Sequence, residues 1–141
     1  MVIVTSYVSA SGIPTTTPIY EATCTTATDI TTTGTSDVTG CTVTVTANST
    51  SDRFVVNGCC DVAHQDATSS VFSCMLTVDS TAQSNRMYFN GISNGVRVTM
   101  GKTWIVTGLS AGSHTFKFQA TQTAASSYRV QVGSNFVVTR L

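Results

Sequence analysis

The chain carries little charge for its length. Its 141 residues include 7 Lys and Arg and 7 Asp and Glu, so the formal net charge is zero. Nucleic-acid binding draws most of its affinity from basic side chains that neutralise phosphates, and seven scattered basic residues form no patch. We therefore expect no nucleic-acid partner. Copies of a near-neutral protein also do not repel one another electrostatically. This property suits a molecule that is bound to a larger assembly rather than free in solution.

Long apolar runs and strong helix formers are also scarce. No segment reaches the roughly 20 apolar residues of a membrane-spanning helix, and residues 1–7 contain neither a basic residue nor a signal-peptide core. We expect no membrane partner and a chain that starts as it was translated, in the reducing cytoplasm of a host cell. Leu, Glu and Lys are rare and show no helical spacing, so we predict little or no helix.

The spacings that create metal and cofactor sites are missing. The five cysteines (Cys24, Cys41, Cys59, Cys60 and Cys74) include no Cys-x-x-Cys pair, and adjacent residues point to opposite faces of a strand. We predict buried free thiols that pack as small hydrophobic residues. A disulfide formed after release into an oxidising medium is the alternative. Phosphate-binding glycine loops and the nucleophile elbow are absent too, so we predict no metal and no cofactor.

The chain has two histidines, and neither has an evident catalytic partner set. His64 is near Asp61 and Asp66 in sequence, but nucleophilic catalysis needs an oriented base and an oxyanion site, which nearness in sequence does not supply. His64 and His114 share the parity of neighbouring apolar residues, so both are predicted to be structural histidines at strand ends. The carboxylates are separated and stand mostly in turns. A calcium ion in a loop stays open as an alternative. We predict no catalytic residue and no enzyme.

The chain is rich in Thr, with 27 residues, and in Ser, with 17. Thr and Val are β-branched and fit a pleated sheet better than a helix. Apolar residues alternate in short runs separated by Gly, Asn, Ser and Asp. These runs cover 41–47, 54–62, 72–78, 87–89, 104–106, 116–120, 128–132 and 136–138. Short strands at this spacing predict an all-β fold, an antiparallel sandwich or barrel.

The first third of the sequence differs from the rest. From Pro14 to Gly40 the chain is Thr-rich and holds few large apolar residues. We predict a single domain over 1–141, in which 1–40 forms an N-terminal strand and a Thr-rich extended arm. Such an arm often contacts a partner rather than the core, and Tyr7, Ile19 and Tyr20 are its candidate partner contacts.

The last forty residues resemble a known group of proteins. Residues 103–120 read as a strand, a tight turn with the sequence Gly-Leu-Ser-Ala-Gly-Ser-His at 108–114, and a second strand. Together with 128–132 and 135–141, this pattern resembles the closing strands of jelly-roll, tumour-necrosis-factor-like modules in decoration (cement) and head-fibre proteins of tailed bacteriophages. The resemblance extends more loosely back to Phe54. It implies a jelly-roll sandwich of about eight to ten strands.

The resemblance also implies a structural role in a virion. The expected protein is a capsid decoration subunit, a homotrimer on the capsid exterior that stabilises contacts between major capsid proteins. Cementing needs no chemistry, because binding across a junction raises the free energy of separating its subunits. The alternative is a receptor- or glycan-binding module of a phage fibre or tail, which needs an exposed recognition site. A bacterial carbohydrate-binding module is a third hypothesis, but the sole tryptophan, Trp104, is more typical of a core or interface.

Overall fold

The computed structural model describes residues 2–8, 14–31, 33–66, 69–91, 93–123 and 126–141, with the backbone alone at 2–8 and 14–16. Within these ranges the chain forms twelve β-strands and no helix. The strands are β1 (Val2–Val8), β2 (Pro14–Thr23), β3 (Thr28–Ile30), β4 (Ser36–Ala47), β5 (Arg53–His64), β6 (Ser70–Val78), β7 (Thr81–Ala82), β8 (Met87–Gly91), β9 (Arg97–Thr107), β10 (Gly112–Gln122), β11 (Tyr128–Val130) and β12 (Asn135–Arg140). The predicted all-β class is confirmed. The strand number exceeds eight to ten because β2 lies in the Thr-rich stretch and because β3 and β7 have only three and two residues, too few to show a periodicity.

The strands form two antiparallel sheets that enclose one core. The seven-stranded sheet runs β1-β2-β12-β5-β11-β3, and β9 pairs with the other edge of β5. The five-stranded sheet runs β4-β10-β6, with β7 and β8 pairing successive parts of β6. The sequence prediction of an antiparallel sandwich of jelly-roll type is confirmed. None of the described residues belongs to a helix that could cross a membrane.

Period-two alternation places the core between the sheets. Phe54, Val56, Cys60 and Val62 of β5, Phe116, Phe118 and Ala120 of β10, and Phe136 and Val138 of β12 have no exposed surface. Gly58 holds the inward position between Val56 and Cys60, and a Cβ there would lie 2.4 Å from Cζ of Phe118. The sheets therefore meet across an aromatic layer that leaves no room for a side chain at this position.

Two strands depart from the expected parity. In β6 the outward residues Ser73, Met75 and Thr77 are buried, as the inward ones are. In the run 128–132 the alternation stops early, and Val132 is 59% exposed. The strand ends at Val130 and a turn follows, since Gly133 takes a left-handed φ of 92°.

The N-terminal strands extend beyond the rest of the seven-stranded sheet. β1 pairs with β2 from Val2 opposite Tyr20 to Val8 opposite Pro14, whereas β12 pairs with β2 only from Ile19 to Thr23. Residues 14–18 therefore pair with β1 alone. We call residues 2–8 and 14–18 the N-terminal ribbon. Five residues at about 3.4 Å each carry it roughly 17 Å past the last β12 pair.

Candidate functional site

His64 is the centre of a buried hydrogen-bonded cluster at the end of β5. Its Nδ1 lies 3.0 Å from the carbonyl oxygen of Ser93, and its Nε2 lies 2.9 Å from the hydroxyl of Ser126 and 3.2 Å from a carboxylate oxygen of Asp66. The ring stacks on Tyr128 at 4.6 Å. A carbonyl oxygen only accepts, so Nδ1 donates to Ser93.

The His64 cluster connects segments of the fold and does not have the geometry of a catalytic triad. In a triad the carboxylate binds the ring nitrogen opposite the nucleophile, but Asp66 and Ser126 both lie beside Nε2. The imidazole also has no exposed surface through which a substrate could reach it. His64 instead ties the segment after β5 to the β8–β9 and β10–β11 connections. Its predicted place at the end of an inward-facing strand is confirmed.

His114 forms a second cluster at the start of β10. Its Nδ1 lies 2.6 Å from Oδ2 of Asp79 and its Nε2 lies 2.8 Å from the carbonyl oxygen of Ser110, while the N–H of Thr115 donates to Oδ1 of Asp79. Both ring nitrogens face acceptors, so the protonated ring satisfies both. The bond to Asp79 and then that to Ser110 raise the pKa of His114, and the bond from His114 lowers the pKa of Asp79.

Sequence reasoning placed His114 at a strand end but missed its carboxylate partner. Asp79 and Ser80 form the tight turn between β6 and β7, with left-handed φ values of 48° and 68°. Short polar side chains tolerate this conformation. The turn was readable from the sequence, but the partner was not, since 35 positions separate His114 from Asp79 and only the β6–β10 pairing brings them together.

The His114 cluster predicts a pH-dependent stability. A folded-state pKa above the usual 6.5 of His114 gives a stabilisation that is complete below the unfolded-state pKa and is lost as pH rises through the folded-state pKa. We expect the difference in urea midpoint between wild type and His114→Gln to be largest near pH 6 and to shrink toward about pH 9. Asp79→Asn serves as the parallel variant and should show the same trend. A difference that stays constant with pH would contradict the assignment.

The cysteines are free thiols, and four of the five are buried, as predicted. Burial is the main cause that raises the pKa of Cys41 to about 12 and also raises the pKa of Cys24 and of Cys59. The Sγ of Cys41 donates to the carbonyl oxygen of Ser134 at 3.3 Å. Protonated thiols are poor nucleophiles and poor metal ligands. The described part of the chain contains no group of three or more residues placed to hold a metal ion, and the absence of metal and cofactor stays a prediction.

Trp104 lies in the core, which fits the expectation for this residue. It is 5% exposed, its ring lies edge-on to Phe118 at 5.9 Å, and its Nε1–H donates to the carbonyl oxygen of Asn85 at 2.9 Å. A buried indole with its donor engaged offers no stacking surface to a sugar. Trp104 therefore does not support the glycan-binding alternative.

A surface depression of about 370 Å³ lies beside β2 and β4. It is lined by Glu21, Ala22, Thr23, Thr25, Gly40 and Thr42. Its floor is tight, because a Cβ at Gly40 would lie 2.6 Å from the carbonyl oxygen of Thr23. The hydroxyl of Thr23 donates to the carboxylate of Glu21 at 3.4 Å. The lining is hydroxyl-rich but brings together no set of groups that points to one ligand.

The structure separates the three candidate partner contacts. Tyr7 lies in β1 opposite Thr15, and its side chain is outside the described part. Ile19 points outward from the seven-stranded sheet and is half-buried, whereas Tyr20 points inward and packs against the core. Both side chains are half-buried, Ile19 on the outer side of the sheet and Tyr20 against the core. Their role as partner contacts stays a prediction.

The outer side of the seven-stranded sheet carries a low-charge face. Its outward residues stand in register across β2, β12, β5 and β9 in three rows. The rows are Ile19, Thr139, Val55 and Ile105; Glu21, Val137, Asn57 and Thr103; and Thr23, Asn135, Cys59 and Gly101. Glu21 is the single charged residue among the twelve. Sequence reasoning did not find this face, because the order of strands in the sheet is needed to align the rows.

Charged residues elsewhere on the strands stand largely in pairs. Arg97 pairs with Asp61 between β9 and β5, Arg129 with Asp29 between β11 and β3, and Lys117 with Asp37 between β10 and β4. Exposed pairs of this kind contribute little to stability, because solvent screens them. Their effect here is to neutralise charge locally, so that the surface holds no strong patch of either sign.

Comparisons with known proteins find likeness in structure alone. No protein-family model matches the chain, and no curated protein is significantly similar to it in sequence. A chain from the structure of infectious bursal disease virus, Gt strain, superposes with a TM-score of 0.63 at 12% identity, over 90% of this chain and 35% of the viral one. A chain of the T=1 particles derived from the same virus gives 0.58 at 13% identity, over 86% and 31%.

A third likeness is to Eiger TNF from S. frugiperda, with a TM-score of 0.50 at 13% identity, over 87% of this chain and 92% of that one. The present chain therefore matches nearly the whole of the TNF-type structure, but spans only about a third of the length of the viral chains. At these identities the likeness concerns the fold. The sandwich is thus a jelly roll of the kind found in viral capsid proteins and TNF-like proteins.

Proposed function

We propose that this chain is a structural virion protein, a capsid decoration (cement) subunit that binds the outside of a capsid and stabilises contacts between major capsid proteins. It acts there as a homotrimer, in a virion assembled in the host cytoplasm. The observation that carries the proposal is the N-terminal ribbon. The ribbon has the properties of a segment that completes its structure on a partner.

The ribbon has little support within the chain itself. Among the described elements β1 forms a ladder with β2 alone, and an isolated two-stranded ribbon is marginally stable in water. Residues 2–20 also contain no charged side chain. A segment of this kind gains stability when a third strand or an apolar surface covers it.

The free edge of β1 lacks the usual protection against strand addition. Proteins blunt exposed strand edges with charges, with proline or by keeping the edge strand short. Of the long edge strands, β4 carries Asp37 and β9 carries Arg97 and Lys102. The other edge strands, β3, β7 and β8, have five residues or fewer. β1 has seven residues with neither charge nor proline. Its edge is therefore suited to accept a strand from a partner.

The other edge of the ribbon is blocked by proline. Pro14 lies opposite Val8 and Pro18 lies opposite Val4. Because proline has no N–H, these are non-hydrogen-bonded pairs, in which the main-chain N–H and C=O groups of each residue point away from the opposite strand of the ribbon. By the same alternation, the N–H of Ser6 points to the free edge of β1 and that of Thr16 to the opposite edge. The ribbon is thus open to strand addition on the β1 side only.

This asymmetry gives a matched pair of variants. Ser6→Pro removes a donor from the open edge and should weaken binding to decoration-free capsids at least about tenfold, because main-chain hydrogen bonds supply the affinity in strand addition. Thr16→Pro acts on the edge that proline already blocks and should bind as wild type. Co-sedimentation with capsids over a range of chain concentrations measures both.

Two results would contradict the proposal. Wild type that fails to sediment with capsids excludes the decoration role, and equal binding of Ser6→Pro and wild type excludes the β1 edge as the contact. Binding to host-cell surfaces or glycans without capsid binding would favour the receptor-binding alternative, in which the chain is a module of a fibre or tail.

A further inference from the structure

Two of the buried cysteines belong to different sheets and contact each other in the core. Cys60 lies on β5 of the seven-stranded sheet and Cys74 on β6 of the five-stranded sheet, and neither has exposed surface. Their thiols are hydrogen-bonded to each other. The proposed function does not use this pair, and two thiols that already touch across a sandwich are placed to form a disulfide.

The relative direction of the strands explains how the two sheets bring these thiols together. Phe54 of β5 lies against Phe116 of β10 with ring centroids 5.8 Å apart. Further along both strands, Gly58 faces the ring of Phe118. β5 therefore passes over β10 in the same direction, and successive inward residues of the two strands lie at matching levels.

The next inward residues along both strands are small. Alternate residues share one face of a strand, so Cys60 follows Gly58 and lies level with Ala120 of β10. Ala120 is the register partner of Cys74 on β6, which places the two thiols at one level of the core. A disulfide joins the two sheets of antibody domains, so the spacing of packed sheets allows such a bond.

The remaining cysteines are directed elsewhere. The Sγ atoms of Cys24 and Cys41 donate to main-chain carbonyl oxygens at 3.0 and 3.3 Å, respectively. Cys59 is adjacent to Cys60 in sequence, but its side chain points to the outer side of β5. The pair arranged to bond is therefore Cys60 with Cys74.

We propose that Cys60 and Cys74 form a disulfide that joins the two sheets once the chain is in an oxidising medium. Hydrogen peroxide converts the first thiol to a sulfenic acid and releases one water. The second thiol attacks the sulfenic sulfur, the S–S bond forms, and the hydroxyl leaves with the thiol proton as a second water. The two thiols lose two electrons in total, and the peroxide accepts them.

The surroundings of the pair make this reaction slow. The bond with Cys60 and burial raise the pKa of Cys74 well above its usual value, and the thiolate is the reactive form. An oxidant reaches the pair when the sheet opens locally. The short edge strand β8 is the element that opens, since its pairing with β6 ends at Met87 opposite Cys74. The pair therefore stays reduced in a reducing cytoplasm and is oxidised on long exposure outside it.

The test is oxidation of the folded full chain by hydrogen peroxide, followed by alkylation of the remaining thiols and peptide mapping without reductant. We expect a cross-linked peptide pair that contains Cys60 and Cys74, and an intact mass lower by two hydrogens. Cys74→Ala should abolish the cross-link. Cys41→Ala is the matched control, because it also removes a buried core thiol, but one that is bonded to a main-chain carbonyl, and it should keep the cross-link.

Stability gives a second readout of the same bond. The disulfide closes a loop of 15 residues from Cys60 to Cys74, and a loop of this length lowers the unfolding equilibrium constant on the order of a hundredfold. The urea midpoint of the oxidised chain should rise, and a reductant should restore the original value. The midpoint of Cys74→Ala should respond to neither treatment.

Four results would overturn the inference. They are free thiols in the folded chain under conditions that cross-link the urea-unfolded chain, a cross-link between other cysteines, oxygen added at Cys60 or Cys74 without a cross-link, and an oxidised chain no more stable than the reduced one. Peptide mapping of wild type decides the pairing even if Cys74→Ala does not fold. The inference does not rest on the proposed function, and a chain that forms the bond but binds no capsid overturns that function alone.

Discussion

Phe118→Ala is expected to lower the free energy of unfolding by about 3–5 kcal/mol, the range for large aromatic residues removed from a core. Phe118 has no exposed surface, and its ring contacts those of Phe136 at 4.8 Å and Trp104 at 5.9 Å. It lies between the two sheets, so the cavity left by its removal cannot be filled by either sheet alone.

Urea denaturation followed by circular dichroism measures this effect. Tyr88→Ala is the control, because Tyr88 is an aromatic residue that is 66% exposed and its removal should change the free energy by less than about 0.5 kcal/mol. Similar losses for the two variants would show that the aromatic layer does not hold the sheets together.

Gly58→Ala is expected to destabilise the protein by about 1–3 kcal/mol, the range for overpacked cores. The added Cβ would lie 2.4 Å from Cζ of Phe118 and 3.0 Å from Cζ3 of Trp104. Neither ring can move away freely, since both are packed on all sides. This change in stability has the opposite sign to that at an ordinary strand glycine, where replacement by alanine stabilises the protein by roughly 0.5–1 kcal/mol.

Gly101→Ala is the matched control for that ordinary case. Gly101 lies on the neighbouring strand β9, and the nearest atom to an added Cβ is the carbonyl oxygen of Gly58 at 3.8 Å. Alanine there should leave stability unchanged or raise it. In a Phe118→Leu background the penalty of Gly58→Ala should fall, because the atom in conflict is gone. An additive double variant would contradict the proposed clash.

Much of the fold could be predicted because burial in a sandwich follows a period of two. Alternation along 54–62 and 116–120 placed their apolar residues in the core, and the structure confirms it. Short strands escaped prediction, since β7 consists of two exposed residues. The predicted strand 128–132 was too long at Val132, because the alternation of apolar residues in the sequence continues past the end of β11. The turn at Gly133 ends the strand there.

The candidate surfaces were less predictable because they depend on which strands are neighbours. Ile19, Val55 and Ile105 are far apart in sequence, and only the order β2-β12-β5-β9 aligns them. The same reason concealed Asp79 as the partner of His114. Sequence reasoning proposed an N-terminal strand and a Thr-rich arm in this region, but the pairing of β1 with β2 required the register.

In the proposed decoration subunit the free edge of β1 would contact the capsid. Such a subunit needs no catalytic group, and its two histidine clusters then serve to fix connections at the ends of the sandwich.

Cryo-electron microscopy of virus particles that carry this chain tests the decoration role most directly. We expect jelly-roll density at regular positions on the capsid exterior, in contact with more than one major capsid protein subunit. Density confined to a tail or fibre tip, or the absence of the chain from the capsid surface, would contradict the role proposed here.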